Sequence, residues 1–401
     1  MLKKWRSQRY LGTLAAPLML VGALAGLGPD TAATATTPCE SWAGTQPPSP
    51  GTADNGLSGV TVLSACNAWA VGAADGGSGN QALIEHWNGA TWTVTPSPSL
   101  GVSSTLLGVH AVSPVSIWAV GNFENGNGVQ PLILHWDGTA WTQQNTEVTS
   151  GELSAVHAVS NNDVWAVGDF GSPQQGLILH WDGTQWRQVK SPSFKPSSLL
   201  FGVTATSHTN AWAVGEVTVT ADIARPHHPQ GRAGRHLAAA VSTTLIEHWN
   251  GTTWSRVTSP SPHGFALLNG ISATAASDAW AVGVTSAGTG EQTLALHWNG
   301  QTWAQATTPS PGGSASENTL EGVAATTADN AWAVGESGPT GNQTLILQWN
   351  GSAWSTVNSP NPGTGINGLF GVAATSASNA WAVGSFDNGT VPLQALGIHC
   401  C

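Results

Sequence analysis

Histidine recurs at one fixed place in a repeating segment of this chain, and its imidazole is the side chain best suited to bind a metal or transfer a proton near neutral pH. Glutamine takes that place once. The set comprises His86, His135, His180, His248, His297, His399 and Gln348. A shared zinc ion would need each nitrogen within about 2.0–2.1 Å, whereas equivalent positions of separate repeats lie far apart. We therefore predict buried, hydrogen-bonded imidazoles and neither a metal nor a cofactor.

Carboxylates and an amide follow closely after a second repeated element, W-A-V-G. They are Asn122, Glu124, Asp169, Glu216, Glu336 and Asp387. Around one opening they would form an acidic mouth suited to a cation or to sugar hydroxyls. Two of them about 5–9.5 Å apart would suit glycoside hydrolysis. Scattered, they would only keep the surface solvated, and the sequence leaves these alternatives open.

Tryptophan shows how these residues are positioned, because 19 of the 21 tryptophans fall on a repeating grid. The seven W-A-V-G copies begin at Trp69, Trp118, Trp165, Trp212, Trp280, Trp332 and Trp381. A second element, W-(N/D)-G-x-x-W, occurs at Trp87/Trp92, Trp136/Trp141, Trp181/Trp186, Trp249/Trp254, Trp298/Trp303 and Trp349/Trp354. A period near 50 residues with several short strands per unit predicts an all-β, seven-bladed β-propeller of four-stranded antiparallel blades.

A single repeat shows how the four strands arise. In residues 198–262, apolar segments alternate with turn-forming residues, and prolines end the fourth segment. The N-G pair at Asn250 predicts a two-residue type I′ turn, with Trp249 opposite Thr252. That register puts four side chains on one face of the sheet. They are Leu245, Glu247, Trp249 and Trp254.

The last repeat stops after His399, before a fourth strand. The missing strand is predicted at the other end of the chain. Trp42 is followed by prolines six and eight residues later, as Trp254 is. We therefore expect the N-terminal strand to complete the last blade and close the ring.

The four cysteines are expected at this closure. Aligned on blade four, Cys39 and Cys401 fall at the tip of the missing hairpin, so we predict a disulfide from Cys39 to either Cys401 or Cys400. Cys66 is expected either to pair with the remaining C-terminal cysteine or to be a small buried residue. Disulfides here would indicate an oxidising compartment.

Residues 1–35 have the layout of a secretion signal, with a basic start, an apolar run and small residues that suit cleavage. An uncleaved membrane anchor is the alternative. We predict that residues 36–401 form the propeller, secreted or at the cell surface, monomeric and not inserted in a membrane. Residues 1–35 hold four of the 11 basic and one of the 22 acidic residues, so the remainder has a formal net charge of −14. Such a chain cannot neutralise many phosphates, which excludes a nucleic-acid partner.

The two faces of the disc differ in sequence. On one face the turns are short and nearly identical between repeats; on the other, here called the variable face, loop lengths and residues differ, so binding is expected there. Blade four carries an insertion, residues 216–243, in which residues 224–236 are predicted to be a mobile Pro/Gly-rich excursion. Alternatively, its cationic and imidazole side chains would bind an acidic partner or a transition metal. They are Arg225, His227, His228, Arg232, Arg235 and His236.

The pattern D-x-W-A-V-G followed by I-L-H-W-N-G-T-x-W resembles the repeats of secreted bacterial β-propeller proteins. W-A-V-G is also similar to an element in the propellers of photosystem II assembly factors and of the wider Asp-box (BNR) group. The Asp-box itself, S-x-D-x-G-x-x-W, is absent, as is the Gly-Gly pair of kelch repeats. The resemblance implies the fold and a scaffold role by analogy, because propellers host many activities.

The residue inventory argues against known propeller enzymes. Tyr10, in the leader, is the only tyrosine, whereas a sialidase uses a tyrosine nucleophile and a galactose-oxidase-like copper site also needs tyrosines. We predict a non-catalytic propeller that binds a glycan or an extracellular protein through the variable face. The alternatives are a glycoside hydrolase or lyase that uses carboxylates of that face, and an assembly factor.

Overall fold

The chain forms the predicted seven-bladed β-propeller in a computed structural model that describes residues 41–98, 100–223, 237–262, 264–287, 289–339, 342–387 and 392–400. These residues contain 28 strands and no helix, so no helix among them could span a membrane. The predicted leader, residues 1–35, lies outside them. The strands are β1 Ala43–Thr45, β2 Asn55–Ser64, β3 Asn67–Asp75, β4 Asn80–Trp87, β5 Trp92–Val94, β6 Ser103–Ser113, β7 Ser116–Glu124, β8 Val129–Trp136, β9 Trp141–Gln143, β10 Glu152–Ser160, β11 Asp163–Phe170, β12 Gln175–Trp181, β13 Trp186–Gln188, β14 Ser197–Ser207, β15 Asn210–Ile223, β16 Leu237–Trp249, β17 Trp254–Arg256, β18 Ala266–Ala275, β19 Asp278–Ala287, β20 Gly290–Trp298, β21 Trp303–Ala306, β22 Glu317–Thr327, β23 Asn330–Gly338, β24 Gln343–Trp349, β25 Trp354–Val357, β26 Asn367–Ser376, β27 Asn379–Phe386 and β28 Gln394–Cys400.

Each blade is an antiparallel sheet; the strands follow chain order in six blades, and β1 is the outer strand of the last. The first strands of neighbouring blades contact each other around the axis. A bulge interrupts each first strand at an L-x-G-V or closely similar segment. Six of the seven blades have glycine at the third position of this segment and blade three has Ala155, in keeping with a close approach: a Cβ added at Gly59 would lie 3.3 Å from the Cα of Gly108 in the next blade. The bulges bring the seven inner strands close together at the axis.

Seven apolar clusters, one per interface between blades, join the blades into a closed ring. In the interface between blades three and four, Trp165 is 1% exposed, stacks on His180 of its own blade and packs on Trp249 and Trp254 of the next. A buried tryptophan covers about 150–250 Å². The tryptophan grid is therefore the contact surface between blades.

The W-N-G-x-x-W loop has four residues rather than two. Trp249 pairs directly with Trp254, so the predicted pairing with Thr252 is wrong. The side-chain oxygen of Asn250 accepts the backbone N–H groups two and three residues on, both at 3.0 Å, and Gly251 adopts the left-handed region with φ 94°. Because side chains alternate with period two, a two-residue error preserves the faces. The shared face of Leu245, Glu247, Trp249 and Trp254 is confirmed.

The predicted ring closure is confirmed, since β1 joins β26, β27 and β28 in one sheet. Ala43 lies opposite His399, in the register of Ser255 and His248 in blade four. Trp42 therefore takes the outer-strand tryptophan position, where it packs edge-on against Trp332 at 5.3 Å.

The cysteines only partly follow the prediction. Cys400 is fully buried and disulfide-bonded, while both of its predicted neighbours, Cys39 and Cys401, lie outside the described residues. Cys66 is a free and exposed thiol, so neither prediction made for it holds. It lies in the turn between β2 and β3, beside Gly89 of the neighbouring hairpin.

The two ends of the blade-four insertion, residues 216–223 and 237–243, are regular strands, whereas the mobile Pro/Gly-rich excursion is predicted for residues 224–236. β15 and β16 extend past the blade as a two-stranded ribbon, paired as far as Ile223 and Leu237. The alternating V-T-V-T run that begins at Val217 favours such strands. Residues 224–236 lie outside the described residues. They hold the six candidates Arg225, His227, His228, Arg232, Arg235 and His236.

Candidate functional site

The repeated histidines are hydrogen-bonded, as predicted, but they are partly exposed and not buried. Each Nε2 lies within hydrogen-bond distance of the first side chain of the second strand, for example 2.8 Å between His180 and Asp163 and 2.7 Å between His248 and Asn210. Gln348 makes a weaker version of this contact with Asn330 at 3.5 Å. The other pairs are His86–Asn67, His135–Ser116, His297–Asp278 and His399–Asn379. These contacts fix the repeated imidazoles within their own blades.

The candidate site is a cavity of about 490 Å³ on the variable face, where blades seven, one and two meet near the axis. Blade three contributes one further residue, Glu152 at the start of β10. We name it the axial cavity. Its polar wall consists of Asp54, Asp75, Asn80, Thr105, Asn122 and Glu152, and its apolar residues include Leu57, Leu107, Phe370 and Leu393.

Hydrogen bonds between blades hold the polar wall in place. Asn122 donates to the Glu152 carboxylate at 3.3 Å, from blade two to blade three. Asn80 donates to the Thr105 hydroxyl at 3.4 Å, from blade one to blade two. Asp54 accepts the backbone N–H of residue 393 at 3.1 Å, which ties blade one to blade seven. The wall is therefore preorganised before any ligand enters.

The floor of the axial cavity comes from the bulges of the inner strands. Leu107 and Phe370 occupy the x position of the L-x-G-V segment in blades two and seven, and Ser58 occupies it in blade one. All three are partly buried. A polar wall above an apolar floor is typical of sites that bind organic ligands.

The described lining of the axial cavity is acidic and contains no cation. The described residues include only four lysines and arginines, which lie on or just after the outer strands of blades three and four. They are Arg187, Lys190, Lys195 and Arg256. None of them lines the cavity. A neutral or positively charged ligand would therefore suit this site better than an anion.

A larger cleft of about 770 Å³ lies at the outer rim of blade five. No charged side chain lines it, and its central polar groups are already bonded to one another: Thr293 Oγ1 contacts the Thr308 hydroxyl at 2.8 Å, and its backbone N–H donates to Ser310 at 3.2 Å. The axial cavity is the better candidate because its polar groups come from several blades and face an apolar floor.

The six variable-face candidates are spread over several interfaces instead of forming one mouth. Asn122 lines the axial cavity, and Glu124 is exposed beside it, paired with the lining residue Ser103. Asp169 and Glu216 are buried, only 4% and 5% exposed. Glu336 Oε2 lies beside Gly368 of blade seven, and Asp387 lies beside Gly365 in the connection to that blade. Their positions favour the alternative in which the six residues do not share one acidic opening.

Buried carboxyl groups with altered acidity lie away from the axial cavity. Burial raises the pKa of Glu216, while a hydrogen bond with Ser242 opposes the shift. Burial also raises the pKa of Glu85 and of Glu247 to about 8, and both are fully buried between blades. Glu85 and Glu247, which are 0% exposed, have no access to a substrate at the variable face.

Sequence reasoning missed most of the cavity wall. Asp54, Asp75 and Glu152 lie at strand starts or ends, in connections where loop lengths differ between blades. One signal was available. Asn55 is 2% exposed and bonds to both the N–H and the carbonyl of Gly51, in a P-G-x-x-x-N segment that recurs before blade seven. Such a segment marks an ordered connection at the edge of the variable face.

Comparison with known proteins supports the fold. No protein-family model and no curated protein matches the chain in sequence. The solved structure "YCF48 bound to D1 peptide" superposes with a TM-score of 0.53 at 13% identity, over 90% of this chain and 96% of that one. YCF48 from Cyanidioschyzon merolae gives 0.52 at 13% identity, over 90% and 98%. A polysaccharide lyase, the PL25 ulvan lyase bound to -[GlcA(1-4)Rha3S]-, gives 0.52 at 10% identity, over 86% and 94%. The likeness to an assembly-factor propeller and to a lyase propeller establishes shared architecture.

Proposed function

We propose that this chain is a non-catalytic, secreted or cell-surface propeller that acts as a monomer and recognises a protein or glycan partner at the axial cavity. The observation that carries the proposal is the cavity itself, with a wall contributed by several blades and an apolar floor at the axis. Among the similar structures, one is described with a bound peptide and one with a bound polysaccharide. Both ligand classes are therefore compatible with a propeller of this architecture.

Binding without catalysis is favoured because the acids suited to proton donation lie elsewhere. A general acid needs a raised pKa and access to the substrate. Glu85 and Glu247 have the raised pKa but are 0% exposed. Secretion is favoured by the predicted leader and by the disulfide at Cys400.

The test uses residues 36–401, screened on a glycan array and against proteins of the native culture medium and cell envelope. Thr105→Trp should fill the axial cavity and abolish binding of any partner found. The control, Gln185→Trp, places the same side chain on an exposed hairpin of the opposite face and should leave binding intact.

Equal binding by the two variants would overturn the assignment of the site. Release of reducing ends or unsaturated sugars from a polysaccharide, retained in Gln185→Trp and lost in Thr105→Trp, would show instead that the chain is a hydrolase or lyase. Mass spectrometry of the exported protein tests secretion, because cleavage near residue 35 removes a defined mass.

A further inference from the structure

We propose that the axial cavity binds a lysine or arginine side chain presented by an extended segment of a protein partner, with an apolar residue of the same segment held beside it. This inference rests on the proposed function and names the chemical class of the ligand. It follows from charge, shape and the surface around the cavity mouth.

Charge is the first argument. Carboxylates from three separate chain segments, Asp54, Asp75 and Glu152, converge on the axial cavity. Asp54 and Asp75 accept hydrogen bonds from neutral backbone N–H groups, at 3.1 and 2.7 Å, and neither has a lysine or arginine partner among the described residues. A guanidinium or ammonium entering the cavity would therefore meet uncompensated negative charge.

Shape is the second argument. The carboxylates lie at or next to strand ends on the variable face, whereas Leu107, Ser58 and Phe370 lie at the bulges of the inner strands. Lysine and arginine combine a long apolar stem with a terminal charge, so the stem can contact Leu107 while the charge reaches a carboxylate or the face of Phe370. A volume of about 490 Å³ accommodates such a side chain together with part of the backbone that carries it.

The surface beside the mouth is the third argument. Four large apolar side chains of the described residues are strongly exposed, and two of them, Val102 and Val129, are 64% and 45% exposed on the variable face of blade two. Val102 precedes the lining residue Ser103, and Val129 pairs with Glu124. These valines offer an apolar contact to the residue that follows the basic one. An anionic or purely polar ligand would use neither feature.

The experiment is a selection of displayed random heptapeptides on immobilised residues 36–401, followed by fluorescence anisotropy of the selected peptides. We expect enrichment of lysine or arginine next to an apolar residue. Replacing the selected arginine with citrulline, its neutral isostere, should weaken binding by about tenfold or more. Affinity should also fall as salt rises, because partly exposed charges are screened.

Matched variants locate the site. Asp54→Asn, Asp75→Asn and Glu152→Gln each keep an oxygen for the existing hydrogen bond, so the combined variant should fold with an unchanged Tm and lose the affinity for basic peptides. The control pair Asp137→Asn and Asp182→Asn removes charge from the hairpins of the opposite face and should bind as the wild type does.

The outcomes separate this inference from the proposed function. Selected peptides without a basic residue, or basic peptides bound equally by the combined variant, would overturn the inference. A neutral glycan that binds the wild type but not Thr105→Trp would also overturn it, while the proposed function would stand. Failure of every peptide, protein and glycan to bind in a cavity-dependent way would overturn both.

Discussion

Two interfaces between blades contain a glutamate at the same position of the repeat, but the two carboxyl groups differ in their hydrogen bonds. Glu247 in β16 faces blade three, and the hydroxyl of Ser191 lies 3.0 Å from both of its oxygens. Glu85 in β4 faces blade seven, and neither of its oxygens has a hydrogen-bond partner among the described residues. Ser191 comes five residues after Trp186, and at the ring closure the equivalent position, five residues after Trp42, is Pro47, which has no side-chain donor.

The carboxyl group buried between blades seven and one therefore lacks the hydrogen bond that the equivalent group has between blades three and four. An unsatisfied buried polar group costs about 1–3 kcal/mol. In the other blades this position is apolar, as Leu134, Leu179, Leu296, Leu347 and Ile398 show. We infer that the ring has its weakest interface where the ends of the chain meet, and four predictions test that inference.

The largest effect should come from the tryptophans, which the two interfaces share. Trp381 contacts Trp87 and Trp92 at 4.9 Å each, much as Trp165 contacts its two partners at 5.2 Å. Trp381→Ala and Trp165→Ala should therefore each lower the free energy of unfolding by roughly 3–5 kcal/mol, measured by denaturant titration. If the two losses differ markedly, the interfaces also differ in tryptophan packing, and the carboxyl groups alone would not explain a weaker closure.

The pH dependence of stability should reveal the buried acids. Burial raises the pKa of Glu85 from 4.5 to about 8, while in the unfolded chain it titrates near its ordinary value. Stability from this group is complete below pH 4.5 and is lost as the pH rises towards 8, by up to roughly 5 kcal/mol at about 1.4 kcal/mol per pKa unit. Glu247 should behave alike, since its pKa is also raised to about 8.

Thermal unfolding between pH 4.5 and 8 checks this prediction. At each pH, the Tm of a variant with leucine at both positions is subtracted from the Tm of the wild type. The difference is needed because His110, whose pKa burial lowers to about 4, acts in the opposite direction below pH 6.5. A double variant with the same slope as the wild type from pH 4.5 to 8 would exclude both acids as the cause.

Single leucine substitutions should distinguish the two carboxyls. Glu85→Leu removes an acid without a partner and introduces the residue that four other blades carry, so we expect stabilisation by about 1–3 kcal/mol at pH 7. Glu247→Leu should gain less, because the Glu247 carboxyl already has the Ser191 hydroxyl as a hydrogen-bond partner. Equal gains in Tm would show that the serine hydroxyl contributes little.

The sequence predicted the architecture because its signal is periodic. The tryptophan positions, the blade number, the histidine contacts and the strand shared by the two ends all follow from one repeating unit, so each repeat supports the others. The register error at Thr252 arose because N-G was interpreted as a two-residue turn, whereas the side chain of Asn250 closes a four-residue loop. The faces were nevertheless right, because the error was an even number of residues.

Most residues of the axial cavity could not be predicted, because they do not follow the repeat. The axial cavity combines residues that break the repeat, such as Asp54, Asp75 and Phe370, from blades that are distant in sequence. Of the predicted candidates that the structure describes, only Asn122 lines it. The environment of Glu85 was similarly hidden, because Pro47 takes the position equivalent to Ser191 only when β1 joins the last blade. Positions that depart from a repeat can be located only in the three-dimensional structure, since no neighbouring repeat shows where they lie.

The smallest and most specific effect concerns the donor itself. Pro47→Ser restores a hydroxyl five residues after Trp42 and should give Glu85 the partner that Ser191 gives Glu247. Loss of the proline lowers stability, because the unfolded chain gains conformational freedom. The coupling free energy in a double-mutant cycle with Glu85→Leu removes this effect and is therefore the quantity to measure. We expect about 1 kcal/mol of favourable coupling, matching the cycle of Ser191→Ala with Glu247→Leu. Zero coupling in the first cycle beside a clear value in the second would show that the serine cannot reach Glu85, because the backbone at the closure departs from that of blades three and four.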